Sequence, residues 1–356
     1  MILNPDIAKV LEGYDPKKLT IATVTSHSSL QIFHGAKQEG FRTLGITVGK
    51  PPRHYDAFPL SKPDRWLELK DYHELMDRAD ELVAENVILI PHGSFVEYMG
   101  GKNYEKLPVP SFGNKQVLEW ESNRTMEREW LHAAGLTMPE EIKDPKDIIQ
   151  PVIVKYHGAK GGRGFFIAKN YHEFMRKIEK GQSYTIQEFV LGTRYYLHYF
   201  FSPLREQGYS VDGGILEMLS MDRRDEANID EANRLGSINE LEAVGISPTF
   251  VVTGNIPIVL RESLLPKVFD MGEKVVKESI KRFGGLVGPF CLETVVTDQL
   301  EFKVFEISAR IVAGTNPYIT GSPYMDLIEP NLSTGRRIAQ EIRLAADAGR
   351  LGEVCS

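Results

Sequence analysis

Cysteine is nearly absent from this chain of 356 residues, which holds only Cys291 and Cys355, far apart. That excludes a disulfide framework or a cysteine zinc site and fits two free thiols in a reducing cytoplasm. Nowhere does the chain approach the roughly 18 consecutive apolar residues of a membrane span. The N-terminal MILNPDIAKVLEGYDPKK also lacks the apolar core of a signal peptide. A soluble, unexported protein with no membrane partner is therefore expected. No long run of one charge sign accompanies the net charge of −7, which argues against nucleic acid as a partner. Internal repeats and low-complexity tracts are missing as well. What remains is an ordinary globular composition, 42% hydrophobic and 26% charged, in a chain longer than one core supports, so two or three domains are expected.

The most informative stretch is Pro151 to Lys169, PVIVKYHGAKGGRGFFIAK. Two apolar strands, around Val152–Val154 and Phe165–Ile167, flank a tip containing Gly158, Gly161, Gly162 and Gly164, as in a β-hairpin with a long tip. Glycines let backbone N–H groups approach phosphate oxygens, and Lys155 and Lys160 add positive charge. The pattern is neither a P-loop nor a dinucleotide fingerprint, because a strand follows where both need a helix. It reads either as a phosphate lid for a nucleoside triphosphate or as an ordinary surface hairpin.

Upstream, residues 19–49 read as one βαβ unit: strand Leu19–Val24, loop Thr25–Ser29, helix Leu30–Glu39 and strand Thr43–Val48. The loop brings hydroxyls and His27 to a helix N-terminus, which suits an anion such as a ribose phosphate; capping by Ser28 or Ser29 is the alternative. A second strand end, VILI at 87–90, runs into Pro91-His92-Gly93-Ser94. Ligands of open α/β sheets sit beyond the carboxyl ends of strands, so the His27 and Ser94 loops can face one crevice. His92 reads equally well as a satisfied histidine beneath a turn. Between these loops a helix is expected over Asp71–Glu85.

Downstream, Gly113–Pro139 reads as two short helices closed by Gly135. After the hairpin come a helix (Tyr171–Lys180) and strands over Ser183–Val190 and Tyr195–Phe201. Gln187-Glu188-Phe189-Val190 sets a carboxylate at a strand end, a way to hold an adenine edge and ribose hydroxyls. Residues 220–240 are dense in charge and read as a solvated loop, with Glu226 the residue to watch. Thr249–Leu260 reads as a strand broken at Gly254-Asn255, for a ligand or for a bulge. A long amphipathic helix spans Ser263–Phe283. Two strands then fill Gly288–Asn316, with a turn near Asp298, and carry Glu293 and Glu306 in apolar surroundings. Buried carboxylates need a partner, so they suggest a Mg²⁺ site, unless both face solvent. Arg310 can pair with Glu306 or with a transferring phosphate.

In this order the parts resemble the ATP-grasp superfamily: Ala134-Gly135 with Pro139, Val154-Lys155, the Gly158–Gly164 loop, the Gln187–Val190 hinge and the two glutamates. SHSSLQI, PHGSF, FGNK, VIVKYHGAKGGRG, IQEFV, GNIPIVLRESLL, GPFCLE and FEISARIVAGTN look like segments of one family within it. That family is the archaeal-type formate-dependent 5-formaminoimidazole-4-carboxamide ribonucleotide synthetases of purine (IMP) biosynthesis, and the likeness covers nearly the whole chain. The resemblance implies an α/β protein. A Rossmann-like parallel-sheet substrate domain (1–114) would precede an ATP-grasp fold of two α+β subdomains enclosing ATP, 115–200 with the lid and 201–356 with the metal site.

It also implies roles, residue by residue. His27, Ser94 and Asn255 would contact the aminoimidazole ribonucleotide. Lys155, Lys160, Gly161, Gly162, Glu188, Val190 and Glu226 would contact ATP, with Glu293 and Glu306 on Mg²⁺ or Mn²⁺ and Arg310 and Lys155 serving the chemistry. Two positions depart from the superfamily pattern: Ser308 stands where many members have Asn, and Arg124 or Arg128 stands in for an early lysine. The activity implied is ATP- and formate-dependent formylation of 5-aminoimidazole-4-carboxamide ribonucleotide through formyl phosphate, by a cytoplasmic homo-oligomer. Another ATP-grasp carboxylate–amine ligase, or a non-catalytic nucleotide-binding paralogue, are the alternatives.

Overall fold

β-Branched and aliphatic runs separated by helical segments build the first part of the chain. In a computed structural model, residues 3–26, 28–157, 164–237, 244, 249–312 and 323–356 are described. Helix α1 (Pro5–Glu12) starts at Asn4, whose side chain accepts from the N–H groups of Asp6 and Ile7. Strands β1 (Thr20–Val24), β2 (Arg42–Val48), β3 (Arg65–Leu69) and β4 (Val87–Leu89) pair in parallel in the order β3-β2-β1-β4. Every residue of β1 is buried, as a strand covered on both faces requires. Helix α2 (Ser29–Gln38) joins β1 to β2, as expected.

The helix expected over Asp71–Glu85 is broken. Asp71 caps a 3₁₀ turn at Tyr72–Leu75 by accepting from the N–H of His73, and α3 covers only Ala79–Ala84. Helices α4 (Gly93–Met99), α5 (Gly101–Lys106), α6 (Gln116–Ser122) and α7 (Arg124–Ala133) follow, and Gly135 takes the left-handed conformation (φ +72°) that ends the run.

The expected hairpin forms from β5 (Val152–Tyr156) and β6 (Phe165–Ala168), and β7 (Tyr184–Glu188) adds to it as a three-stranded antiparallel sheet, β6-β5-β7. Helix α8 (Tyr171–Lys177) buries Phe174 against Val152, Val154 and Ile186.

The largest sheet is antiparallel: β8 (Thr193–Ser202), β9 (Tyr209–Val211), β10 (Gly214–Asn228), β11 (Phe250–Pro257), β12 (Gly288–Val296) and β13 (Phe302–Ser308), in the order β11-β10-β8-β12-β13, with β9 beside β10. Its long central strand overturns the reading of residues 220–240 as a loop. Residues 220–228 belong to β10, and α9 (Ile229–Leu235) follows. Extended backbone survives that density of charge because neighbouring strands supply partners. Asp222 bonds His198, Arg224 bonds Glu293, and Glu226 bonds Arg194. The break at Gly254-Asn255 is a bulge, for the register slips between Asp225 and Glu226 and leaves Thr253 unpaired. Helix α10 (Leu265–Phe283) covers the sheet with Val268, Val275 and Val276 and ends at Gly284 (φ +83°).

After α11 (Pro323–Ile328), the last long helix α12 (Thr334–Asp347) returns to the first sheet and packs on α2. Buried Arg337 ties it to the large sheet, donating to Glu217 (2.6 Å) and Glu341 (2.9 Å). Ser356 and Ser111 exchange backbone hydrogen bonds of 2.9–3.0 Å. Thus the large sheet and the parallel sheet share a wall. Among the described residues no helix is long and apolar enough to cross a membrane.

The α2–α12 contact depends on two glycines. A Cβ at Gly35 would stand 2.2 Å from the backbone of Arg336, and one at Gly335 would stand 2.2 Å from the carbonyl oxygen of Gln31. Gly335→Ala is expected to destabilise the fold by about 1–3 kcal/mol through overpacking, seen as a lower urea midpoint, whereas Gly349→Ala, where nothing lies within 4 Å, changes it only through backbone strain at φ +66°.

Candidate active site

Residues directly opposite one another in an antiparallel sheet point to the same face, so the register of the large sheet decides which side chains meet. Glu306 of β13 faces Glu293 of β12, which faces Tyr196 of β8, which faces Asp222 of β10. The next row holds Ser308, Cys291, His198 and Ser220. On the other side Arg224 of β10 faces Asn255 of β11. One face of one sheet therefore carries both predicted metal ligands and the predicted Asn255.

The glutamate pair has specific neighbours. Arg224 reaches Glu293 at 3.3 and 3.5 Å while its guanidinium lies 3.6 Å from the centre of the Tyr196 ring. Ser308 donates to Glu293 at 3.4 Å, so the residue that departs from the superfamily pattern still touches a predicted metal ligand. Water reaches Glu306, yet protein walls it on its remaining sides. That enclosure, then the charge of Glu293, pushes its carboxyl up, against the pull of Lys155 and Arg124. Behind it Glu127 accepts from the N–H of Ile307 (2.8 Å), and burial followed by Glu306 raises its carboxyl well above the ordinary value. Such an excess of negative charge favours a cation.

Glu306 lines a cleft of about 900 Å³. Arg124 and Arg128 of α7 line one wall, Lys155, Thr185 and Gln187 of the small sheet the other, with Phe305 beside Glu306. The volume lies within the range of ligand clefts. Lys155 extends over the Phe305 ring (5.8 Å to its centre), and burial lowers its ammonium pKa while Glu306 opposes that shift. Positive groups thus stand with Glu306 in the cleft.

Other predicted residues are engaged elsewhere. Glu188 binds Lys303 of β13 at 2.5 and 2.6 Å, bracing the small sheet against the large one, and half-buried Val190 follows it beyond β7. Glu226 accepts from Arg194 at 2.7 Å. Arg310 pairs with Glu121 of α6 (2.7 Å) instead of Glu306, and Glu121 also accepts from the N–H of Ala309 (2.8 Å). Asn255 donates to Asp222 at 2.6 Å.

In the parallel sheet, buried Ser94 shares a 3.0 Å hydrogen bond with Ser26. Ser28 makes no side-chain cap and donates to the carbonyl of Val312 (2.8 Å), while Ser29 bonds Tyr55 (2.6 Å). His92 donates to the carbonyl of Val24 at 2.8 Å. The structure brings the Ser94 loop to the large sheet through a bridge between His92 and Ile311. His27, Lys160, Gly161 and Gly162 lie outside the described residues.

The sequence reading missed Glu121, Glu127, Arg224, His198 and Asp222. For Arg224 and Asp222 a signal exists, because Asp222, Arg224 and Glu226 alternate with period two; Arg223 and Asp225 on the opposite face hide it. Glu121 and Glu127 carry no such signal, since their roles come from β13 docking against α6 and α7.

Comparison with known proteins accords with this geometry. Family profiles described as a domain of unknown function (DUF1297) and a protein of unknown function (DUF1246) match residues 170–356 and 21–142. The chain is 67% identical over 356 residues, all of both chains, to a 5-formaminoimidazole-4-carboxamide-1-(beta)-D-ribofuranosyl 5'-monophosphate synthetase from Methanothrix thermoacetophila. A synthetase of the same name from Pyrococcus abyssi is 49% identical over 94% of this chain and 98% of its own. The solved structure of an IMP biosynthesis protein PurP from Thermococcus kodakaraensis superposes with a TM-score of 0.72 at 29% identity, covering 94% of this chain and 100% of that one. An N5-carboxyaminoimidazole synthetase from Staphylococcus aureus complexed with ADP shares the fold at 12% identity (TM-score 0.61, 91% of this chain and 77% of that one). With its acidic pair, its cleft and its full-length likeness, the chain belongs to the family of 5-formaminoimidazole-4-carboxamide ribonucleotide synthetases.

Proposed function

We propose that this chain is an ATP-grasp carbon–nitrogen ligase that formylates 5-aminoimidazole-4-carboxamide ribonucleotide with formate and ATP, a step of IMP biosynthesis. One observation carries the reading: a chain alike over its full length to the synthetases also sets Glu306, which lines a nucleotide-sized cleft, directly opposite Glu293 on the next strand.

Formate cannot acylate an amine directly, because its leaving group would be oxide or hydroxide. ATP converts its carboxylate to formyl phosphate, and attack by the 5-amino nitrogen on the formyl carbon then expels phosphate. The residues present fit a divalent ion of the Mg²⁺ or Mn²⁺ type, held by Glu293 and Glu306. Bound there, the ion would neutralise charge on the transferring phosphoryl group. Lys155 and Arg124 add positive charge near Glu306 in the same cleft.

In this reading residues 1–114 hold the ribonucleotide through His27 and Ser94, with Asn255 reaching from the far sheet. Residues 115–200 cover the nucleotide with Lys155, the Lys160–Gly162 segment, Glu188 and Val190. Residues 201–356 supply Glu226, the metal pair and Arg310. Glu188 and Arg310 would exchange their present partners, Lys303 and Glu121, for ligand groups. Exposed Val252 and Ile256 on edge strand β11 support a homo-oligomer. The buried free thiols Cys291 and Cys355 suit the cytoplasm.

Mass spectrometry of a mixture of the protein, ATP, Mg²⁺, formate and the ribonucleotide is expected to show a product heavier by one formyl group. Acetate or glycine in place of formate is expected to give none; preference for either would point to a different carboxylate–amine ligase. Glu306→Ala is expected to lower ADP formation by roughly 10²-fold or more, and unchanged ADP formation would remove the metal assignment. Arg224→Ala leaves Glu293 buried without its cation, so a loss of about 3 kcal/mol in stability is expected. Mg²⁺ with ATP should restore part of the lost thermal midpoint, since a bound ligand stabilises the folded chain.

A further inference from the structure

Acylation of an amine releases a proton, and a group close to the reacting amine must take it. A buried imidazole lies on the same sheet face as the metal pair. His198 of β8 is 6% exposed and one row from Glu293, with Cys291 opposite it on β12. Two residues along a strand span about 7 Å, so a small acyl group held at the metal pair and an amine beside it fit between the two rows.

His198 bonds through Nε2 to the carboxylate of Asp222, which is 1% exposed and also accepts from Asn255. A carboxylate only accepts, so Nε2 carries a proton, and Nδ1 is the ring nitrogen left to take one from a substrate. Among the described residues no hydrogen bond engages Nδ1. The imidazole also lines a hollow of about 10 Å³ with Arg310, Ile311, Val312 and Thr334, enough for one water-sized group. The walls of that hollow join the two halves of the proposed substrate site. Ile311 bridges His92, beside Ser94, and the carbonyl of Val312 accepts from Ser28. Asn255, on the other side, is the residue that holds Asp222.

Building on the proposed function, we propose that His198 is the general base of the acyl-transfer step, with Asp222 as its positioning residue. The amine nitrogen forms a C–N bond to the formyl carbon, the C–O bond to phosphate breaks with its electron pair leaving on phosphate, and the amine proton passes to Nδ1 of His198. Asp222 stabilises the imidazolium and fixes its tautomer; Asn255 holds Asp222 and senses the bound ribonucleotide at once. A carboxylate–imidazole pair of this kind is a recurring base in acyl transfer.

The test is His198→Gln in the full chain, with ATP, Mg²⁺, formate and the ribonucleotide, measuring ADP and formylated product in the same sample. Loss of the base is expected to lower product by about 10²-fold or more, while ADP continues to form because stranded formyl phosphate hydrolyses. Hydroxylamine, a nucleophile that needs no general base, should still capture the formyl group as the hydroxamate. Product unchanged, or ADP and product falling in step with no hydroxamate formed, would overturn the assignment. Asp222→Asn preserves side-chain volume and decides the matter if His198→Gln does not fold: ADP should again outrun product, and a ratio equal to that of the unsubstituted chain counts against the pair. If the unsubstituted chain makes no formylated ribonucleotide, the function itself fails, a result distinct from any change in either variant's ratio, and this inference falls with it.

Discussion

Two carboxylates placed opposite each other on adjacent strands are the constraint around which this protein is arranged. Like charges in direct cross-strand contact oppose pairing, and here Glu293 is buried while Glu306 meets water. The fold answers with positive charge from every side. Arg224 comes from β10, Lys155 from the small sheet and Arg124 from α7. None of these cations forms a tight bidentate pair with the glutamates; the Arg224 distances to Glu293 are 3.3 and 3.5 Å. The acids of this pair are therefore held only loosely by protein cations.

The same constraint explains why the three sheets meet where they do. The small sheet is braced to β13 by Glu188 and Lys303, and α6 and α7 send Glu121 and Glu127 to backbone N–H groups just beyond Glu306. The parallel sheet is fixed to the far end of β13 through His92 and Ile311 and through α12, whose glycine contact with α2 allows a close approach. These braces hold the parallel sheet, the small sheet and the large sheet around β13.

Polar groups on the face of the large sheet also illustrate how charge is tolerated in a strand. Asp222, Arg224 and Glu226 each find a partner on a neighbouring strand, so β10 runs through chemistry that would otherwise favour a loop. Satisfied networks of this kind hold side chains in a single orientation, which catalysis requires.

Much of the architecture was legible in the order of residues. The βαβ unit, the glycine-rich hairpin, the long helix ending at Gly284 and the two strands bearing Glu293 and Glu306 follow from local periodicity and turn chemistry, which neighbouring residues alone determine. Segment-by-segment likeness to the synthetase family added residue roles that periodicity cannot supply. Tertiary structure decided the rest: that Glu293 faces Glu306 and not solvent, that Arg310 pairs with Glu121, that residues 220–228 form a strand, and that His198 meets Asp222. These facts depend on strand register and on which helix docks against which edge. Both are set by contacts between residues far apart in the chain, and no local pattern encodes them.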